Sequence, residues 1–417
     1  MSPALIDDAS RALLDRIDAR SEDMVARTIA WSAINSGSDN MEGLARMGEC
    51  LCEAFSALGA DYARIDLAPA RWVDDRGEMQ ERPLGPVHRF RKRPEARRQV
   101  LLTGHLDTVF PADSAFQTPK WHDEETLNGP GVADMKGGLV VMLEALRTLE
   151  QAPMAEHLGY EILISSDEEI GSIGSASCLV ESAGRADFGM TYEPALADGT
   201  LAGARKGSGN FTLVVHGRAA HAGRAIADGR NAVVMLARLI ARLEALNGER
   251  DQVTVNPAVI SGGTAPNIVP DIAVLRFNIR VGSDEDRLWA EGEIARILAD
   301  FEGQEGYRLA LHGGFNRPPK PMTPENLRLF EALRGIGGAL GLAIDWKATG
   351  GCCEGNNLAA AGLPNIDTLG VRGGLIHSSG EFALKSSFTE RAKLSAALLL
   401  AYAGGALDGL GRRRESR

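Results

Sequence analysis

The sequence predicts an α/β protein, a largely parallel sheet flanked by helices, with a smaller α+β unit inserted into it. Three observations predict this. Strand-like and helical runs alternate between about residues 60 and 205, as in a parallel sheet covered on both faces. Over 207–316 the pattern changes to strands set against two long helices. After the Pro-rich stretch Arg317–Pro324, read as a hinge, the strand–helix rhythm returns. The expected division is therefore 1–206 with 317–417 as one domain and 207–316 as the other.

Taken in order, apolar spacing predicts two helices in the first ~60 residues, the second running from near Asn40 to Leu58 with Gly59 as its stop. Strands follow at Gln99–Thr103, Tyr160–Ser165 and Phe188–Tyr192, with helices at Gly137–Glu150 and Ser172–Ser182. The inserted unit has strands at Phe211–His216, Val253–Ile260 and Ile272–Val281 and helices at Asn231–Leu246 and Asp284–Phe301. Beyond the hinge, strands are expected near Ala343–Ala348 and Asn365–Leu369, before a last helix at Phe388–Ala403. The basic stretch 89–98 reads as a solvated hairpin and the tail Gly411–Arg417 as a frayed end.

Composition narrows the function. Lys+Arg 45 against Asp+Glu 56 leaves a net charge of −11, which argues against nucleic-acid binding. The start, MSPALIDDASRALL, carries Asp7 and Asp8 where a signal peptide needs positive charge. The apolar run Leu394–Leu407 is broken by Ser395, Gly404 and Gly405, so no membrane span is expected. Five cysteines in a chain of 417 residues are too few for a disulfide scaffold and point to reduced thiols in the cytoplasm.

In open α/β sheets, ligands bind beyond the carboxyl ends of the strands. The loops that follow predicted strands hold His105 and Asp107, then Asp134 among glycines, then the acidic run Asp167-Glu168-Glu169. Glu193 follows another strand, and His377 follows Gly373-Gly374. Each is unremarkable alone: His105–x–Asp107 is an ordinary strand-end pair, Asp134 a helix cap, the acidic run a solvated helix start. Three consecutive acids at a strand end, however, repel one another unless a cation compensates them. Adjacent side chains leaving a strand diverge, so one glutamate can bind a metal while its neighbour acts as a base. Together, two histidines and three carboxylates beside that base would serve two divalent metals, zinc or else cobalt or manganese.

With these motifs assembled, the chain resembles the co-catalytic dizinc hydrolases that include glutamate carboxypeptidase, acetylornithine deacetylase, succinyl-diaminopimelate desuccinylase and aminoacylase. The matching pieces are GHLDTVFP (104–111), GPGVADMKGG (129–138), SSDEEIGS (165–172), YEP (192–194), AAHAG (219–223), APNIVPD (265–271) and HSSGEF (377–382). The resemblance implies a zinc-exopeptidase-like mixed sheet with the inserted unit as a lid and dimerisation domain, hence a homodimer. It implies that Asp134 bridges two metals, that His105 and Glu193 bind one and Glu169 and His377 the other, and that Asp107 orients His105. It assigns Glu168 as general base towards a metal-bridging water, and places a cis peptide at Asp134–Met135. It implies that His221 reaches the partner's site to stabilise an oxyanion, and that Asn267 and Arg280 grip a substrate carboxylate, near the pocket loop Gly350-Gly351. That loop departs from the family pattern: it continues Cys352-Cys353-Glu354 where hydroxyls and an aspartate are usual.

The function expected is hydrolysis of a peptide or N-acyl amide bond next to a free carboxylate, carboxypeptidase-like, since the family's carboxypeptidases and deacylases have a glutamate at 193. An N-acyl-amino-acid deacylase of the same mechanism is the alternative. More distant readings are a cysteine hydrolase using Cys352 or Cys353, and a non-catalytic dimeric binding protein. Partners are expected to be a small peptide or N-acyl amino acid and a second copy of the chain, with neither nucleic acid nor membrane.

Overall fold

A computed structural model describes residues 5–411, so the tail from 412 onward lies outside it. The central sheet has six strands in the order Asp61–Ile65, Val87–Lys92, Leu158–Ser165, Arg98–His105, Phe188–Thr191 and Asn365–Ile366. The last four are parallel, and the first two run antiparallel to their neighbours, so the sheet is mixed. The parallel strands Leu158–Ser165 and Phe188–Thr191 are buried along their whole length, as expected where helices cover both faces. Helix Lys136–Leu149 is apolar almost all round and sunk into the main core with the last helix, Ser386–Ala403.

Among the described residues three α-helices, not two, precede the sheet: Asp8–Asp15, Ser21–Ser32 and Met41–Ser56. Asp7 caps the first by accepting from the Ser10 N–H at 2.7 Å, and a short 3₁₀ turn at Asp18–Arg20 separates it from the second. Asn40 caps the third, and Gly59 follows its end at φ +60°.

The basic stretch is not a solvated hairpin. Val87–Lys92 is an internal strand between Asp61–Ile65 and Leu158–Ser165. Its alternation turns His88 and Phe90 inward, while Arg91 pairs with Glu161 at 3.4 Å on the other face. Arg93 then pairs with Glu150 at 2.5 Å and lies over the Tyr160 ring. Runs of arginine masked a strand whose partners are acids far away in sequence.

The inserted unit is a four-stranded antiparallel sheet in the order Thr254–Gly262, Ile272–Val281, Gly207–His216 and Arg308–Arg317, with helices Ala232–Glu244 and Asp284–Phe301. It has its own core around Leu213, Leu239, Leu275, Ile279 and Ile294. Its fourth strand was not anticipated, because Gly313 and Gly314 interrupt its alternation. The expected hinge at Arg317–Pro324 is also pinned: the Arg205 N–H donates to the Lys320 carbonyl at 2.9 Å, and the reverse bond is 3.0 Å. The two chain crossings between the units thus run side by side.

Candidate metal centre

The carboxyl ends of the parallel strands bring the predicted residues together. His105 ends its strand, fully buried, and its Nδ1 lies 3.0 Å from the Asp107 carbonyl oxygen. Nε2 faces the other way, 3.2 Å from Asp134 Oδ1 and 3.6 Å from Glu193 Oε1. On the far side of Asp134, Oδ2 lies 3.2 Å from His377 Nε2, which is also 3.2 Å from Glu169 Oε2. Two compact ligand groups result, His105–Asp134–Glu193 and Asp134–Glu169–His377, sharing Asp134.

Local sequence explains the placement. The peptide Asp134–Met135 is cis. Both N–H groups of Ala133 and Asp134 donate to Glu381 Oε1 at 3.0 Å, fixing the turn from below. The glycine pair then lets the helix begin against the neighbouring strand end: a Cβ on Gly138 would collide with the Tyr192 carbonyl, and one on Gly137 with the Val132 carbonyl. Asp107 is buried and accepts from the Ser38 hydroxyl at 2.7 Å and from the N–H groups of Glu168 and Glu169 at 3.2 and 3.1 Å. It therefore organises the acidic loop as well as standing behind His105.

Electrostatics and satisfaction point the same way. Burial, then the nearby Asp134 charge, pushes the Glu169 carboxyl up to about 8, and Glu193 is raised well above the usual range for the same reasons. Asp134 is held low by the two imidazoles beside it in spite of its burial. His377 is pushed up to about 11 by Asp134 and Glu169. His105 Nε2, Asp134 Oδ1 and Glu193 Oε1 are all buried, with no hydrogen-bond partner among the described residues. Three orphaned ligand atoms turned toward one another, in a nest of carboxylates that repel, fit a bound divalent cation. The N/O donor set suits zinc, cobalt or manganese.

Glu168 stands beside this cluster, its Oε1 accepting from Arg317 at 2.6 Å. Arg280 is half-buried, donating from Nε to Asn278 and from NH1 to Cys352 Sγ at 3.2 Å, so it borders the pocket loop. Gly350 and Gly351 are exposed there. His221 and Asn267 are not brought to the cluster within one chain. Both are exposed on the inserted unit, side by side through the Ala222 N–H to Asn267 carbonyl bond of 3.0 Å.

Two residues of the site, Arg317 and Glu381, have no role legible in the sequence, and the pocket-loop residues Glu354 and Cys353 take buried positions. Arg317 had no signal beyond opening a Pro-rich stretch, since its partner lies 149 positions away. Glu381 lies within HSSGEF (377–382), where nothing in the sequence gives it a role. Glu354 is buried, accepts from Ser165 at 2.5 Å, and is pushed up to about 8 chiefly by that burial. Cys353 donates to Asp367, which Arg205 also binds. All five cysteines are free.

Comparison with known proteins identifies the family. Residues 203–305 match the peptidase dimerisation domain, and residues 87–190 match peptidase family M28. Carboxypeptidase G2 of Pseudomonas sp. (strain RS-16) is 26% identical over 383 residues, spanning 88% of this chain and 86% of that protein. Succinyl-diaminopimelate desuccinylase of Maricaulis maris is 30% identical over 303 residues, 66% of this chain and 76% of that one. The chain belongs to the M20 metallopeptidase family. As an M20 protein it is a metal-dependent hydrolase of peptide or N-acyl amide bonds, built on the family fold with its dimerisation domain. An M20 metallo-carboxypeptidase from Sulfolobus solfataricus superposes with TM-score 0.70 at 17% identity, covering 91% of this chain and 99% of the other. A Staphylococcus aureus tripeptidase gives 0.69 at 21%, covering 92% and 99%. Among the described residues no helix is long and apolar enough to cross a membrane.

Proposed function

We propose that this M20 enzyme is a two-metal, carboxypeptidase-like hydrolase that cleaves a peptide or N-acyl amide bond adjacent to a free carboxylate. The observation that carries the reading is the pair of ligand groups sharing Asp134, with three buried ligand atoms left without partners. His105, Asp134 and Glu193 would hold one ion, and Asp134, Glu169 and His377 the other, with zinc as the metal favoured by the donor set. When bound, such ions supply Lewis-acid polarisation of the scissile carbonyl and a lowered water pKa.

The chain's own residues do the rest. Glu168 takes the proton of the attacking water and delivers it to the leaving nitrogen. Asp107, through its buried hydrogen bonds, keeps His105 and the acidic loop in register. Arg280 receives the substrate carboxylate, its guanidinium having no carboxylate partner among the described residues. His221 and Asn267 are exposed on the dimerisation unit, without contact to their own cluster. They would act across a homodimer, His221 on the developing oxyanion and Asn267 on the carboxylate, beside Gly350 and Gly351.

The test is metal content per chain, paired with hydrolysis of a panel of N-acyl amino acids and dipeptides before and after chelation. We expect about two ions per chain and turnover that is lost in chelator and restored by Zn²⁺ or Co²⁺. Undiminished turnover by fully demetallated protein would sink the reading. The preferred acyl group in the panel separates peptidase from deacylase.

A further inference from the structure

Two arginines of the inserted unit flank one serine. Ser208 is the cross-strand neighbour of Arg280 on one side and of Arg317 on the other. Their surroundings differ. Arg280 is half-buried and, among the described residues, gives hydrogen bonds only to Asn278 and Cys352. Arg317 is 3% exposed. Its NH2 donates to Glu168 Oε1 at 2.6 Å and to the Glu168 carbonyl at 3.1 Å, and its NH1 donates to Asn357 Oδ1 at 2.5 Å. Among the described residues, Arg317 and Glu168 are each other's sole ion-pair partner. Both terminal nitrogens of Arg317 are thus engaged by the protein, whereas NH2 of Arg280 has no hydrogen-bond partner among the described residues and is open to a ligand.

A glutamate has three rotatable side-chain bonds and samples several rotamers unless something holds its carboxylate. Here the holder comes from the end of the Arg308–Arg317 strand, so the position of Glu168 is referenced to the inserted sheet as well as to its own loop. Asn357, in the middle of helix Glu354–Ala360, fixes the other arm of the guanidinium.

We propose that Arg317 is a positioning residue of the hydrolytic reaction: by bridging Glu168 and Asn357 it holds the base in its working place, and it acts through Glu168 rather than by gripping substrate. The proposal rests on the reading of Glu168 as base. Lysine keeps the charge but cannot span both partners, so it restores only part of the effect.

The experiment is a double-mutant cycle on the metal-loaded enzyme with Arg317→Lys, Arg317→Gln, Glu168→Gln and the combined Glu168→Gln, Arg317→Gln variant, reading kcat and KM separately. Arg317→Gln is expected to lower kcat about 100-fold, the scale of a misplaced catalytic group, with KM changed less than about threefold. Arg317→Lys falls between, and added guanidinium recovers part of the Arg317→Gln loss. In the Glu168→Gln background, removing Arg317 costs nothing more. A rise in KM at unchanged kcat, or a full and additive loss in the Glu168→Gln background, overturns the proposal. Should Arg317→Gln fail to fold, the same split is read from Arg317→Lys and from Asn357→Ala. Full activity of Glu168→Gln alone is a different result: it removes the base reading itself.

Discussion

Glu381 Oε1 accepts the backbone N–H of Asp134 at 3.0 Å, and that of Ala133 at the same distance. The residue that both ligand groups share is thereby held through its backbone by a buried carboxylate. Glu381→Ala strands two buried donors, at about 1–3 kcal/mol each. It is expected to weaken metal affinity roughly 10–100-fold, as loss of such supporting contacts does elsewhere. Glu381→Gln, which keeps an acceptor oxygen, should lose much less. Metal titration of both variants checks this, and equal affinity in wild type and Glu381→Ala would count against it.

Gly138, near the start of helix Lys136–Leu149, lies against the Tyr192 backbone just beyond the Phe188–Thr191 strand. A Cβ there meets the Tyr192 carbonyl, backbone against backbone, with no flexible group to yield. Gly138→Ala should cost about 1–3 kcal/mol by overpacking. Because the push falls between Asp134 and Glu193, metal binding should weaken along with the melting temperature. Gly292, whose Cβ would meet nothing within 4 Å, offers the control: Gly292→Ala should leave both unchanged or raise stability slightly.

His88 makes the fold sensitive to acid at a distance from the metal centre. It is buried near Cys52 and Tyr62, and burial, with Arg64 nearby, depresses its pKa to about 4. The unfolded chain therefore binds this proton first as pH falls. The stability that the neutral imidazole contributes is complete above about pH 6.5 and is lost as pH drops through about 4, amounting to roughly 3 kcal/mol. In His88→Asn the fall in stability between pH 7 and pH 4 should shrink by that amount. Denaturant midpoints at the two pH values measure it, and identical falls in both proteins would refute the assignment.

The vicinal thiols are structural in their surroundings. Cys353 caps helix Glu354–Ala360 and donates to Asp367 at 3.0 Å, while Cys352 accepts from Arg280 at 3.2 Å. Neither has an imidazole hydrogen-bond partner among the described residues, and burial pushes the Cys353 thiol well up, the opposite of an activated nucleophile. A Cys352→Ala, Cys353→Ala double variant should keep chelator-sensitive turnover, with altered KM from the Arg280 contact. Complete loss of activity in a folded, metal-loaded double variant would revive the cysteine-hydrolase reading.

What the sequence by itself determined follows from its local physics. Period-two and helical patterning placed the parallel strands and both long helices of the inserted unit, and Ile272–Val281 and Asp284–Phe301 fall where they were expected. Chemistry-bearing residues at strand ends were legible because open sheets present ligands there, so His105, Asp134, Glu168, Glu169, Glu193 and His377 could be named in advance as a set. Tertiary structure alone decided the rest. Arginine-rich Val87–Lys92 became an internal strand because Glu161 and Glu150, remote in sequence, neutralise its neighbourhood. Arg317 met Glu168, and Glu381 met the Asp134 backbone, through contacts spanning 149 and 247 positions. Such pairs leave no periodic trace, since their energy comes from burial and charge complementarity created only when the sheet ends close on one another. The separation of His221 and Asn267 from their own cluster is likewise a property of the folded chain, set by where the dimerisation sheet stands.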